Sequence, residues 1–315
     1  MIRPLFLLCT ALVPLAGIEG AARRASPAAA LSVRGPEGWR EWWHADRAPT
    51  RWRERLPVLA GVVTWRPVAP GVRWGELELS GGGEAWRVRA IVVQLDPRLV
   101  RLETRTLQGA DGQPLAWNVD SAPPEAIVAL NAGQFNSSGP GGWVVMGGLE
   151  RRPPGRGPLA PALVADTGGA VRIVPPDSIS RTRGDPAVRE AFQSYPSLLV
   201  EDGEVPLPLR QAGLGVDLEH RDARLALGLD RDGMLLIAMT RFEGLGGALS
   251  NLPFGLTTPE MAALMGALGC RRAMLLDGGI SSQLRLQPPG GEALVWRGIR
   301  QVPVGLVVLP ADSSR

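Results

Sequence analysis

The sequence predicts an α+β fold, with a mixed, strand-rich sheet core and a few packed helices in a single domain. Three observations predict it. Short segments of β-branched, aromatic and Leu residues in partial alternation recur from Val58 to the C-terminal end. The 40 Gly and 29 Pro of the 315-residue chain are spread as turn punctuation rather than gathered in one tract. Only one stretch, Thr258 to Leu268, carries a full set of helix start and stop signals.

In chain order, residues 1–22 read as a signal peptide. Arg3 precedes the apolar run Pro4 to Ala16, and the small residues Gly20-Ala21-Ala22 offer a cleavage site. The run is too short to cross a bilayer comfortably, so no stable membrane span is expected after processing. The expected location is exported, periplasmic or extracellular. Leu7-Leu8 before Cys9 argues against a lipoprotein site.

Residues 23–57 form a Trp/Arg-rich N-terminal segment. Trp39, Trp42 and Trp43 share one face at helical spacing, predicting a short helix packed on the main domain. A sugar-stacking platform or a membrane-surface contact is the other use of such tryptophans.

The main domain spans 58–312. Strands are predicted over Val58 to Val68, Trp74 to Leu79, Trp86 to Val93 and Leu99 to Thr104, separated by turns such as Ser80-Gly81-Gly82-Gly83. Ala126 to Leu130 is continuously apolar, as in a strand buried on both faces. Further strands are predicted at 161–165, 170–174, 197–201, 224–229, 234–240 and 303–309. In the helix, Thr257 and Glu260 have capping-box spacing and Pro259 lies in the first turn. Met261, Leu264, Met265 and Leu268 share a face, and Gly269 stops the helix.

Composition removes several function classes. All 34 basic residues are Arg, so Schiff-base lysine chemistry and a phosphate-loop lysine are excluded. A net charge of +3 with no basic run longer than two residues gives no nucleic-acid footprint. Once a signal peptide is removed, Cys270 is the only cysteine, which leaves neither an intrachain disulfide nor a Cys-rich zinc site. Cys270 itself reads as a small buried residue. Two histidines support no multi-His metal centre; an all-oxygen Ca²⁺ or Mg²⁺ site is the one metal option left, and no cofactor is called for.

Three polar clusters adjoin apolar runs. In Leu130 to Phe135, Asn131 leaves a buried strand, either as a turn former or as a hydrogen-bonding group for a sugar hydroxyl. In His220 to Gly228, Arg224 opens an apolar strand and suits a phosphate or carboxylate, or else is a strand-end charge. His220 is a structural residue or a ligand contact. In Ala273 to Ser282, a buried strand runs into Asp277-Gly278-Gly279, followed by Ser281 and Ser282. Two glycines let a backbone approach a ligand closely and present N–H groups; the bland alternative is an ordinary Asp-Gly turn.

The order and spacing of these segments resemble the phosphodiester glycosidase family. The matching segments are Asn131 to Phe135, Pro196 to Gly203, Arg224 to Gly228, Gly255 to Glu260, Leu276 to Ser282 and the closing Val302 to Val308. The resemblance covers roughly residues 60 to 310. Ala132 and Gln134 stand where the family has its first Gly and first Phe, and Leu225 replaces a Thr.

The resemblance implies an exported hydrolase that cleaves a sugar-1-phosphodiester at the anomeric carbon, acting on a carbohydrate or glycosyl-phosphate substrate. Phosphate is a good leaving group, so the main needs are a cation for phosphate and a carboxylate at the oxocarbenium-like centre. Arg224 is expected on the phosphate and Asp277 at the anomeric centre. Gly278, Gly279, Ser281 and Ser282 are expected around phosphate oxygens, with Asn131 and His220 on the substrate. Glu260 is either a second carboxylate or a helix cap. Two other readings are a non-catalytic polysaccharide-binding envelope protein and a metal-dependent phosphodiesterase.

Overall fold

A computed structural model describes residues 29–108, 114–243 and 254–311. The expected signal segment lies outside them. Nine strands form the large sheet, in the order Ser197–Leu199, Cys270–Leu275, Leu225–Asp230, Leu235–Phe242, Val88–Leu95, Val72–Ser80, Ala30–Gly35 and Gly38–His44, with Arg66–Ala69 also paired to Val72–Ser80. Leu149–Arg152, Val144–Met146, Val188–Gln193, Ala162–Asp166 and Val171–Val174 make the second sheet. The third holds Leu294–Trp296, Leu284–Leu286, Val128–Asn131, Gly305–Pro310 and Val100–Arg105.

The two faces of the large sheet explain its unbroken apolar runs. Ala90, Val92, Ala226, Leu236, Ala238 and Leu275 point to a core closed by the helix Thr258–Ala267 and by Trp43, Trp52 and Leu59. Ile91, Val93, Leu225, Leu227, Ile237, Met239 and Leu276 point to a second core against Val128, Leu130, Leu163, Phe192 and Leu306 of the smaller sheets. Successive strand residues therefore bury on opposite sides, and no polar alternation survives.

The helix forms as its sequence dictates. The Thr257 hydroxyl accepts the Glu260 N–H at 3.3 Å, and the Glu260 carboxylate accepts the Thr257 N–H at 2.9 Å. This reciprocal cap is worth about 1 kcal/mol. Cys270 is buried, as read from the sequence, and burial pushes its thiol pKa up.

Two expected elements differ. Trp39, Trp42 and Trp43 lie in a β-hairpin, Ala30–Gly35 with Gly38–His44, and not in a helix. Through Ser32 and Val33 the hairpin adds to the edge of Val72–Ser80; burying Trp43 in the core while leaving Trp39 half exposed satisfies a strand, so the three-residue spacing misled. The strand expected over Val58 to Val68 is instead a helical turn, Pro57–Ala60, followed by the short strand Arg66–Ala69. Pro57 supplies the preset φ that starts a helix. Among the described residues, no helix is long and apolar enough to cross a membrane.

Candidate active site

The strand pairings bring four chain segments to one end of the large sheet. Ala226 pairs with Leu275, Leu225 with Met239, and Phe242 with Val88. Residues before Leu225, after Leu275, at Phe242 and before Val88 thus share an edge. The third sheet meets the same edge through Asn131.

Asp277 leaves the strand Cys270–Leu275 two residues past its end. Asn131 is fully buried beneath it. Its Nδ2 donates to the Asp277 carbonyl at 2.8 Å, and its Oδ1 accepts the Gln283 N–H at 2.9 Å. The amide is therefore committed to the loop itself, and the sugar contact considered for Asn131 gives way to a positioning role. Asn131 lies in the third sheet and Asp277 follows the large one, so this side chain joins two sheets.

The glycines are required by close packing. At Gly279, with φ +57°, a Cβ would lie 2.7 Å from the Asp222 carboxylate; at Gly278 it would lie 2.7 Å from the Ala223 carbonyl. The Gly279 N–H donates to the Ala223 carbonyl at 2.8 Å and so is not open to a ligand, contrary to the sequence expectation. The absence of a side chain is what lets Asp222 stand beside the Asp277 turn.

Asp222 is the residue the sequence reading passed over. It was visible between His220 and Arg224, but nothing in the local pattern distinguished it from a surface charge. Burial pushes its carboxyl up from the ordinary value, opposed by Arg224, by the Ala223 N–H and by His220. Its Oδ2 lies 3.7 Å from His220 Nε2, and His220 is well exposed. Burial likewise pushes Asp277 up, and the charge of Asp222 adds to that; a hydrogen bond from Ser281 and the charge of Arg300 pull it down.

Arg224 and Arg300 act on these carboxylates, and Arg241 supports the loop that follows Asp277. Arg224 is buried; Nε donates to the Leu256 carbonyl at 2.9 Å and Nη2 to the His220 carbonyl at 2.6 Å. Burial lowers its pKa, with Asp222, Asp217 and Glu260 opposing. Arg241 is buried on the other side and drops to about 10 through desolvation; it donates to the Ser282 carbonyl at 3.2 Å and to the Arg297 carbonyl. Arg300 is exposed, with its guanidinium 4.6 Å over the Phe135 ring. No sequence signal marked Arg300, which reaches the site from a loop without regular structure.

Ser281 is buried with its hydroxyl on Asp277. Ser282 is buried too, and its Oγ has no hydrogen-bond partner among the described residues. Glu260 is not part of the carboxylate pair. It is fully buried and clasped by Arg221 at 2.6 and 2.8 Å while capping the helix, so the structure shows the cap, and the carboxylate beside the Asp277 turn is Asp222. Gln134, one of the departures noted above, accepts the Ser194 hydroxyl at 3.0 Å and the Tyr195 N–H at 2.7 Å, and donates weakly to the Leu276 carbonyl at 3.4 Å. It ties the Tyr195 loop to the strand end before Asp277.

Two half-buried carboxyls with raised pKa values, one beside the buried Arg224 and the other beside the exposed Arg300, can divide nucleophile or base from acid while holding an anion.

Solved structures of similar fold include the zebrafish N-acetylglucosamine-1-phosphodiester alpha-N-acetylglucosaminidase catalytic domain auto-inhibited by pro-peptide, at 17% identity and TM-score 0.58, covering 81% of this chain and 91% of that one. A hypothetical protein from Synechocystis matches at 16% identity and TM-score 0.53, over 79% of this chain and 64% of that one. No curated protein matches the sequence. The sequence model of the phosphodiester glycosidase family matches residues 124–309, more than half the chain and the whole span from Asn131 to the last strand. The chain belongs to the phosphodiester glycosidase family.

Proposed function

We propose that the protein is an exported hydrolase that cleaves sugar-1-phosphodiester linkages in an envelope or extracellular polysaccharide. The observation that carries this reading is the pair Asp222 and Asp277, brought together across Gly279 at a site rimmed by Arg224 and Arg300. The name of the zebrafish enzyme describes the same reaction class on this fold.

In this reading Arg300 meets the phosphate at the open side, and Arg224 adds positive potential from below. Asp277 in its ionised form attacks the anomeric carbon or takes a proton from water. Asp222, its carboxyl pushed up by burial, is the partner that supplies a proton to the leaving phosphate oxygen. Ser281 keeps the Asp277 carboxylate oriented. Export rests on the sequence of residues 1–22 alone.

Asp277→Asn keeps the turn's shape and removes the charge. Turnover of a hexosyl-1-phosphodiester is expected to fall on the order of a thousandfold. Full activity in that variant would remove Asp277 from the mechanism. Hydrolysis in heavy-oxygen water reads out the bond broken: label in the sugar supports C–O cleavage, whereas label in the phosphate overturns it for a phosphodiesterase. No turnover by the native protein across a panel of hexosyl-1-phosphodiesters would leave a polysaccharide-binding protein instead.

A further inference from the structure

Beside the site lies an aromatic ladder that the hydrolytic chemistry does not use. Phe242 is buried at the end of the strand Leu235–Phe242. Trp86 meets it edge to face with ring centroids 5.3 Å apart, and Phe254 does the same at 5.5 Å. The two outer rings are open to solvent: Trp86 is 54% exposed and Phe254 36%. Two large aromatic side chains braced on a buried third and partly exposed are unlike isolated surface apolar residues, and such patches mark binding grooves.

The ladder is continuous with the active site through Arg221 and Gly255. Arg221 Nη1 donates to the Gly255 carbonyl at 3.2 Å, and its Nε lies 3.9 Å from Glu84 in the turn that leads to Trp86. Gly255, which follows Phe254, has φ +157°, and a Cβ there would come within 2.5 Å of the Asp222 carbonyl. Arg221 is in turn fixed by its two bonds to the buried Glu260. Arg221 thereby links the segments that carry Trp86 and Phe254 to the one that carries Asp222.

Across the sheet, the strand feeding Asp277 and the strand that follows Trp86 are separated by three strand spacings, about 14 Å. A single sugar at Asp277 cannot span that distance; an oligosaccharide can. The apolar C–H face of a pyranose suits an aromatic ring, and the exposed Glu84 carboxylate beside Trp86 suits its hydroxyl edge.

We propose that Trp86 and Phe254 form a saccharide-stacking subsite that grips the glycan part of the substrate beyond the scissile linkage. The direction of the chain, from the ladder toward Asp277, rests on the hydrolase reading; the stacking itself does not.

The test separates the two. Asp277→Asn protein is titrated calorimetrically with maltopentaose, cellopentaose and chitopentaose, each beside its monosaccharide. At least one pentasaccharide is expected to bind more tightly than its monosaccharide, and adding Trp86→Ala is expected to weaken that binding about tenfold. Trp86→Phe, which keeps a ring, is expected to retain most of it. An unchanged melting temperature shows that the variants are folded. Absence of binding by all three pentasaccharides at millimolar concentration, or equal binding in the Trp86→Ala protein, overturns the subsite. Trp86-dependent binding together with no turnover by the native protein would sink the hydrolase reading and keep the subsite.

Discussion

The pKa of Asp277 is set by opposed neighbours, and this makes its role open to titration. Burial and Asp222 raise it, while Ser281 and Arg300 lower it. The proposed mechanism needs the ionised form, so activity is expected to rise with pH through this raised value. Ser281→Ala removes the hydrogen bond that favours the charged form. A hydrogen bond to a charged group is worth about 1.5–3 kcal/mol, so the acid limb of the kcat profile should move upward by about one to two pH units. A downward shift or none would show that Ser281 does not control the ionisation that matters. At this scale the sequence disclosed the Asp277 turn through its two glycines but hid Asp222 and Arg300. Gly279 was legible as permissive backbone; that its missing Cβ makes room for a carboxylate 57 residues earlier is tertiary information. Asn131 was noticed for the right reason, a polar residue ending a buried strand. Its partners are 146 and 152 residues away, beyond the reach of any local pattern.

Among the elements, the helix Thr258–Ala267 was the most legible, because its cap, its proline and its stop are local signals. The strands Val72–Ser80, Val88–Leu95, Val100–Arg105, Val128–Asn131, Ala162–Asp166, Val171–Val174 and Leu225–Asp230 were legible through their apolar runs, whereas Val144–Met146, Leu149–Arg152, Val188–Gln193 and the hairpin at Trp39 to Trp43 were not. Three tryptophans fit a helical face and a strand equally well, and what decided between them was an open edge at Val72–Ser80 waiting to be paired. Trp52, from the same segment, shows how tightly the helix is covered. A Cβ at Gly266 would stand 2.2 Å from its ring. Trp52 cannot easily retreat, since its N–H binds the Gly203 carbonyl at 2.8 Å and its carbonyl accepts from Arg271 at 2.6 Å. Gly266→Ala gains about 1 kcal/mol in helix propensity. Overpacking against a fixed indole costs about 1–3 kcal/mol, and with an overlap this severe the cost should sit at the upper end. The expected net is a loss of about 1–2 kcal/mol, seen as a lower urea midpoint, whereas Gly184→Ala, with open space around it, should leave the midpoint in place. An unchanged midpoint for Gly266→Ala would mean that the indole can move aside.

For the whole molecule, the two cores share one sheet, and Cys270 sits in that sheet as a natural probe. It is 1% exposed, and its sulfur fills the space where a Cβ of Gly228 would be. In a Cys9→Ser chain, a thiol reagent should label Cys270 only when the sheet opens. The labelling rate is then expected to follow the global unfolding equilibrium across a urea series, with the same denaturant dependence; a faster, urea-independent rate would reveal a local opening. The fold class was readable because strand and turn chemistry is local, while the division into three sheets depends on which apolar faces meet. Every strand pairing among the described residues is antiparallel, yet the partners around the Asp277 turn are far apart in the chain, an arrangement that closes slowly. The single amide of Asn131, reaching from one sheet to the carbonyl of Asp277 beyond the other, gives this topology a chemical meaning. On the proposed hydrolase reading, catalytic competence belongs to the docked pair of sheets as a joint property, so in refolding the return of turnover is expected to mark the moment of docking rather than the earlier return of strand structure.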